Sequence, residues 1–120
     1  MRKTSLILGA ALVALLASFS LPTVSALAKM GMPEMITAAK TPAEHEKLAA
    51  QYEREAKAAR AKAEEHKKMA DAYRKAGGPL IEKLHFDQHC DALVKSYTSM
   101  ADEFEALAKA EREAAKETKK

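Results

Sequence analysis

The sequence predicts an all-α fold: one long antiparallel helical hairpin with an alanine-rich heptad seam, dimerising into a four-helix bundle. Three observations predict it. After Pro42 the chain meets no further Gly or Pro until Gly77-Gly78-Pro79, a run long enough for an arm of about 50 Å at 1.5 Å per residue. Within that run Ala49, Ala56, Ala63 and Ala70 recur every seventh residue, and methyl groups at heptad spacing let a second helix approach closely and supercoil left-handedly. The chain has no Trp, three Tyr and three Phe, so its core is thin, and a domain this small calls for a staple, a metal or a partner subunit.

The first element is a leader. Arg2 and Lys3 precede an apolar run from Leu6 to Leu21, Pro22 breaks it, and Ala26-Leu27-Ala28 supplies small residues at the positions a signal peptidase reads. Residues 1–28 therefore read as a secretory signal peptide, with a mature chain starting at Lys29 and a periplasmic location. The run is shorter than the roughly 20 residues that span a bilayer, so the chain meets the membrane only through this segment before cleavage. No cysteine follows the run, which argues against a lipid anchor. Removing the leader leaves 92 residues with 18 basic and 17 acidic side chains, interspersed as on solvated helix faces. Nucleic acid would need a one-sided basic surface to neutralise phosphates, and is excluded as a partner.

Residues 29–40 read as a flexible lead-in containing Gly31 and Pro33, followed by a hairpin domain over 41–120. Thr41-Pro42-Ala43-Glu44 is a helix start: Thr41 caps free amides, Pro42 fits the first helical position, and Glu44 completes a capping box. The first helix is expected over about 42–76. His45, Tyr52, Ala59, His66 and Tyr73 share one heptad column beside the alanine column, and Leu48 and Met69 lie in a third column interrupted by Glu55 and Lys62. Gly77-Gly78-Pro79 ends this helix, and the connection runs to residue 86. Its apolar residues 80–86 fit either a turn of helix over the hairpin end or the start of the second helix.

The second helix is expected over about 87–117, with Asp87 as a possible N-cap. Val94, Ala101, Ala108 and Ala115 repeat the small-residue column, and Leu93, Tyr97, Met100, Phe104 and Leu107 make this the more apolar helix. A short connection makes the helices antiparallel neighbours, so residues whose numbers add to about 163 face each other within a turn. His66 then meets Tyr97, Tyr73 meets His89 and Cys90, and Tyr52 meets Glu111. His45, in the first turn, is expected to be exposed. His66 is expected to hydrogen-bond Tyr97 or a carboxylate.

Two clusters carry metal-binding chemistry. His85 and His89 are one helical turn apart, and with Cys90 they offer two imidazoles and a thiolate, donors suited to copper or zinc. Cys90 points about 100° away from His89 on a helix, so the alternative is a pair of surface histidines beside a cysteine filling the core. Met30, Met32 and Met35 place three thioethers in six residues, which can wrap Cu(I) or can be a chance cluster. One cysteine excludes an intramolecular disulfide. The chain carries no nucleophile elbow, phosphate loop, H-E-x-x-H or C-x-x-C-H motif, so no enzymatic role is expected.

Thr41-Pro42-Ala43-Glu44-His45, His66 and His89-Cys90-x-x-Leu93 resemble elements of a group of small exported bacterial proteins, mostly uncharacterised. The resemblance implies a helical hairpin and no established activity. The heptad spacing of histidine is also distantly similar to that of small periplasmic metal-binding four-helix proteins, which carry many more histidines. Two functions are therefore expected in competition. One is a non-enzymatic interaction module that binds a second copy or another envelope protein. The other is a small copper or zinc binder using His85, His89 and Cys90 with Met30, Met32 and Met35.

Overall fold

The computed structural model describes residues 30–120, so the signal-peptide reading of residues 1–28 lies outside the described residues. Four helices follow in order: α1 Met32–Ala38, α2 Pro42–Ala76, α3 Pro79–Leu84 and α4 Phe86–Glu117. There is no strand among the described residues, and α2 packs along α4 as the predicted antiparallel hairpin.

The start of α2 is the capping box read from the sequence. The Thr41 hydroxyl accepts from the Glu44 backbone N–H at 3.3 Å, and the Glu44 carboxylate accepts from the backbone N–H groups of Thr41 at 2.9 Å and Lys40 at 2.8 Å. These backbone donors, Lys40 first, hold the Glu44 carboxyl below the usual carboxylate range. The end of α2 is set by Gly77 at φ 59° and Gly78 at φ 98°, backbone angles that cost an L side chain strain.

Two segments differ from the sequence reading. The lead-in contains α1, with Pro33 near its first position, and Met32, Met35 and Ala39 pack on Leu48, Ala49, Tyr52 and Ala108. Apolar contact with the hairpin organises seven residues too few to form a stable helix alone. The second helix begins at Phe86, and Asp87 sits inside its first turn instead of capping it. Residues 79–84 form a separate turn of helix, joined to α4 through His85 in the left-handed conformation (φ 54°, ψ 40°).

The core is a seam of small side chains. Ala49, Ala56, Ala63 and Ala70 of α2 and Ala101, Ala108 and Ala115 of α4 are all buried, as predicted, together with Ala59 and Cys90. Leu48, 1% exposed, is the one large side chain buried this deeply among the described residues. Aromatic pairs bridge the helices: Tyr52 with Phe104 at 6.3 Å, His66 with Tyr97 at 5.5 Å and Tyr73 with Phe86 at 5.2 Å between ring centroids. The expected His66–Tyr97 level is therefore observed. Tyr73 meets Phe86, about a turn from the expected His89 and Cys90, whereas Tyr52 meets Phe104, two turns from the expected Glu111.

Candidate functional site

The turn end of the hairpin is where the sequence places its first candidate cluster. His85 and His89 are exposed, and Cys90 is buried in the seam at 5% exposure. The αL geometry of His85 sends α4 off from that residue, and His85 Nδ1 lies 3.3 Å from the Gln88 side-chain amide. Helical spacing puts Cys90 about 100° round from His89, toward α2. Among the described residues no group of three His, Cys, Asp or Glu side chains is placed to hold a metal ion. The structure thus separates the thiol from the imidazoles. What it does join here is charge: the Arg74 guanidinium binds Asp91, reaches Asp87 at 3.4 Å and Asp71 at 3.3 Å, and so ties the last turn of α2 to the first turns of α4.

The methionine cluster is also divided. Met32 and Met35, one turn apart on α1, are half-buried against the hairpin core, whereas Met30 is exposed at 42%. Two of the three thioethers act in packing, where a flexible sulfur side chain fills irregular gaps.

At the open end, His45 is not the exposed residue expected. Its Nδ1 lies 2.6 Å from Glu111 Oε2, with the two side chains 17% and 20% exposed. A carboxylate only accepts, so Nδ1 carries the proton in this bond. His66 also departs from expectation: its ring stacks on Tyr97 with 9° between planes, and its buried Nδ1 has no hydrogen-bond partner among the described residues.

The feature that stands out is the apolar surface of α4. Leu93, Met100 and Leu107 are exposed at 41%, 46% and 42%, spaced seven residues apart on one line of the helix. On the neighbouring helix Met69 is 39% exposed and, with Ala72, Tyr73 and Ala76, lines an open apolar groove of about 320 Å³. The sequence reading recognised these α4 residues as apolar. It did not separate the line that turns outward from the column that faces α2. The signal was present in the register: Leu93, Met100 and Leu107 lie a turn or less from Tyr97 and Phe104, but on the side away from the alanines. No helix among the described residues is long and apolar enough to cross a membrane.

Comparison of the chain with protein-family models, with curated proteins and with solved structures finds no match.

Proposed function

We propose that this chain is a non-enzymatic helical interaction module of the bacterial periplasm, a hairpin whose outer apolar face receives another protein surface. The observation that carries the reading is the line Leu93, Met100 and Leu107, large apolar side chains left half in water on an otherwise well-capped, ion-paired hairpin. Contiguous exposed apolar surface rimmed by charge is the mark of a docking site. The grooves found among the described residues are open to solvent, and in the one at the hairpin turn, which gathers Arg74, Glu82, His85, Asp87 and Gln88, Arg74 and Asp87 are tied to each other. The layout of Arg2 and Lys3, the Leu6–Leu21 run and Ala26-Leu27-Ala28 supports export. The mass of the protein recovered from a periplasmic extract tests that part, with a chain beginning at Lys29 expected.

Thermal melting of Met100→Glu and Leu107→Glu tests the docking reading. A face reserved for a partner tolerates charge, so both variants are expected to melt within a few degrees of the parent. A loss of 10 °C or more, on the order of what ~2 kcal/mol does to a small domain, would make these side chains part of the fold and sink the reading.

A further inference from the structure

We propose that the occupant of the α4 face is a second copy of this chain, docked with the two α4 helices antiparallel and the twofold axis at Met100. This deepens the interaction-module reading and rests on it. Four properties of the face fit a copy of itself.

The first is spacing. At about 100° per residue, Leu93 and Leu107 lie about 20° to either side of Met100 and about 10 Å above and below it. A twofold axis at Met100 sets Leu93 of one copy level with Leu107 of the other, twice, and Met100 beside Met100. Such a patch is self-complementary, as an isologous interface requires.

The second is charge. His89 is an exposed imidazole on α4. It lies eleven residues before Met100, about 20° off the line, and Glu111 lies eleven residues after it, about 20° off on the other side. Antiparallel docking therefore brings His89 of each copy to the level of Glu111 of the other. Glu111, already accepting from His45, has a second oxygen for it. Most remaining charges of α4 point elsewhere: Lys95, Asp102, Glu105 and Lys109 lie about 140° to 180° from the line, where Asp102 and Glu105 pair with Arg60 of the same hairpin.

The third is bulk. The same axis sets Phe86 level with Ala114, and Phe104 level with Ser96, so large side chains meet small ones.

The fourth is area. From Phe86 to Ala114 the face is about 43 Å long and about 10 Å wide, or roughly 430 Å² per copy. About 860 Å² in total falls short of the roughly 1,200 Å² at which stable specific complexes begin and within the range of weak, transient pairs, so the dissociation constant is expected in the micromolar range or above.

Disulfide trapping tests the geometry, using protein recovered from cells expressing the full chain. In a Cys90→Ala background, Met100→Cys is expected to give a majority of disulfide-linked dimer under mild oxidation, and Lys109→Cys, half a turn round the helix, is expected to stay monomeric. Leu93→Cys is expected to link to Leu107→Cys in a mixed sample and not to itself. In sedimentation equilibrium Met100→Glu should weaken association at least tenfold and His89→Ala several-fold, with melting unchanged in both when it is read at a concentration well below the dissociation constant, where mass action adds nothing to stability. Equal trapping at 100 and 109, or self-linking at 93 as in a parallel pair, would overturn the proposal. So would a monomer at every concentration up to several hundred micromolar. That last result, with Met100→Glu still melting like the parent, would leave the face to a different protein and keep the module reading. A melting loss in Met100→Glu would remove both.

Discussion

The two long helices share one design and use it differently. α2 buries seven residues against its neighbour, five of them alanines, and its third heptad column is broken by Glu55 and Lys62. α4 is the more apolar helix by sequence, yet it buries only Cys90, Ala101, Ala108 and Ala115. Its large side chains, Leu93, Met100 and Leu107, stay 41% to 46% exposed. A narrow stripe is satisfied by one neighbour. A wide stripe is not, and the surplus on α4 is apolar surface that the hairpin itself cannot cover. Burial thus follows the size of the seam, and exposure follows the width of the stripe.

The sharpest way to break this comparison is to truncate one leucine on each helix. Leu48→Ala, at the deeply buried position, is expected to cost about 3 kcal/mol in chemical denaturation, and Leu93→Ala well under ~1 kcal/mol. Equal losses would mean that α4 packs as tightly as α2. Next in size is crowding of the seam. Ala63→Leu adds bulk where the backbones lie close, and should cost about 2 kcal/mol, whereas Ala58→Leu on the exposed side of the same helix should be nearly neutral.

Cys90→Ser should cost about 1 kcal/mol, because a hydroxyl is less at home than a thiol in the seam. Titration of the reduced protein with Cu(I) or Zn(II) should not distinguish this variant from the parent. A loss of tight binding on substitution would restore the His85, His89 and Cys90 cluster as a site. Thr41→Ala removes a helix cap, at about 1 kcal/mol. The same cap gives a pH dependence. Glu44 has a depressed folded-state pKa, so its contribution is present above the ordinary carboxyl range, near 4.5, and is lost as pH falls through the lower folded value. Glu44→Gln should flatten that acid limb in a helicity titration. The smallest effect is expected at His85, whose αL backbone costs a non-glycine residue about 1 kcal/mol. His85→Gly should be neutral or slightly stabilising, and a clear loss would give its imidazole a structural role.

Much of the hairpin was legible because its signals are local or periodic. Thr41 and Glu44 announce the cap, Gly77 and Gly78 the turn, and the alanine columns the seam. The His66–Tyr97 pair followed from antiparallel register alone. What stayed hidden depends on tertiary contact. α1 has no helix-length pattern of its own, and forms because Met32 and Met35 find Leu48 and Tyr52. The His45–Glu111 bond joins residues 66 apart in the chain, and a first-turn histidine gives no hint of it. At 85–90 the sequence offered two readings, a His/Cys cluster or surface histidines beside a core cysteine, and the choice depends on burial: Cys90 lies in the seam while His85, in the left-handed conformation, and His89 are exposed.

Alanine at every seventh position makes a ladder of identical rungs, and such a ladder carries no address. Slide one helix along the other by a heptad and methyl meets methyl again, at almost no loss. The address is written instead in three aromatic pairs strung along the hairpin, Tyr52–Phe104, His66–Tyr97 and Tyr73–Phe86. A slip of seven residues one way would set Tyr52 against Glu111 and His66 against Phe104. The other way would set His66 against Cys90 and Tyr73 against Pro79. Each slip breaks all three pairs and offers one ring pair in return, His66–Phe104 or Tyr52–Tyr97, so a few rings favour one alignment among several that the seam, on its own, would accept.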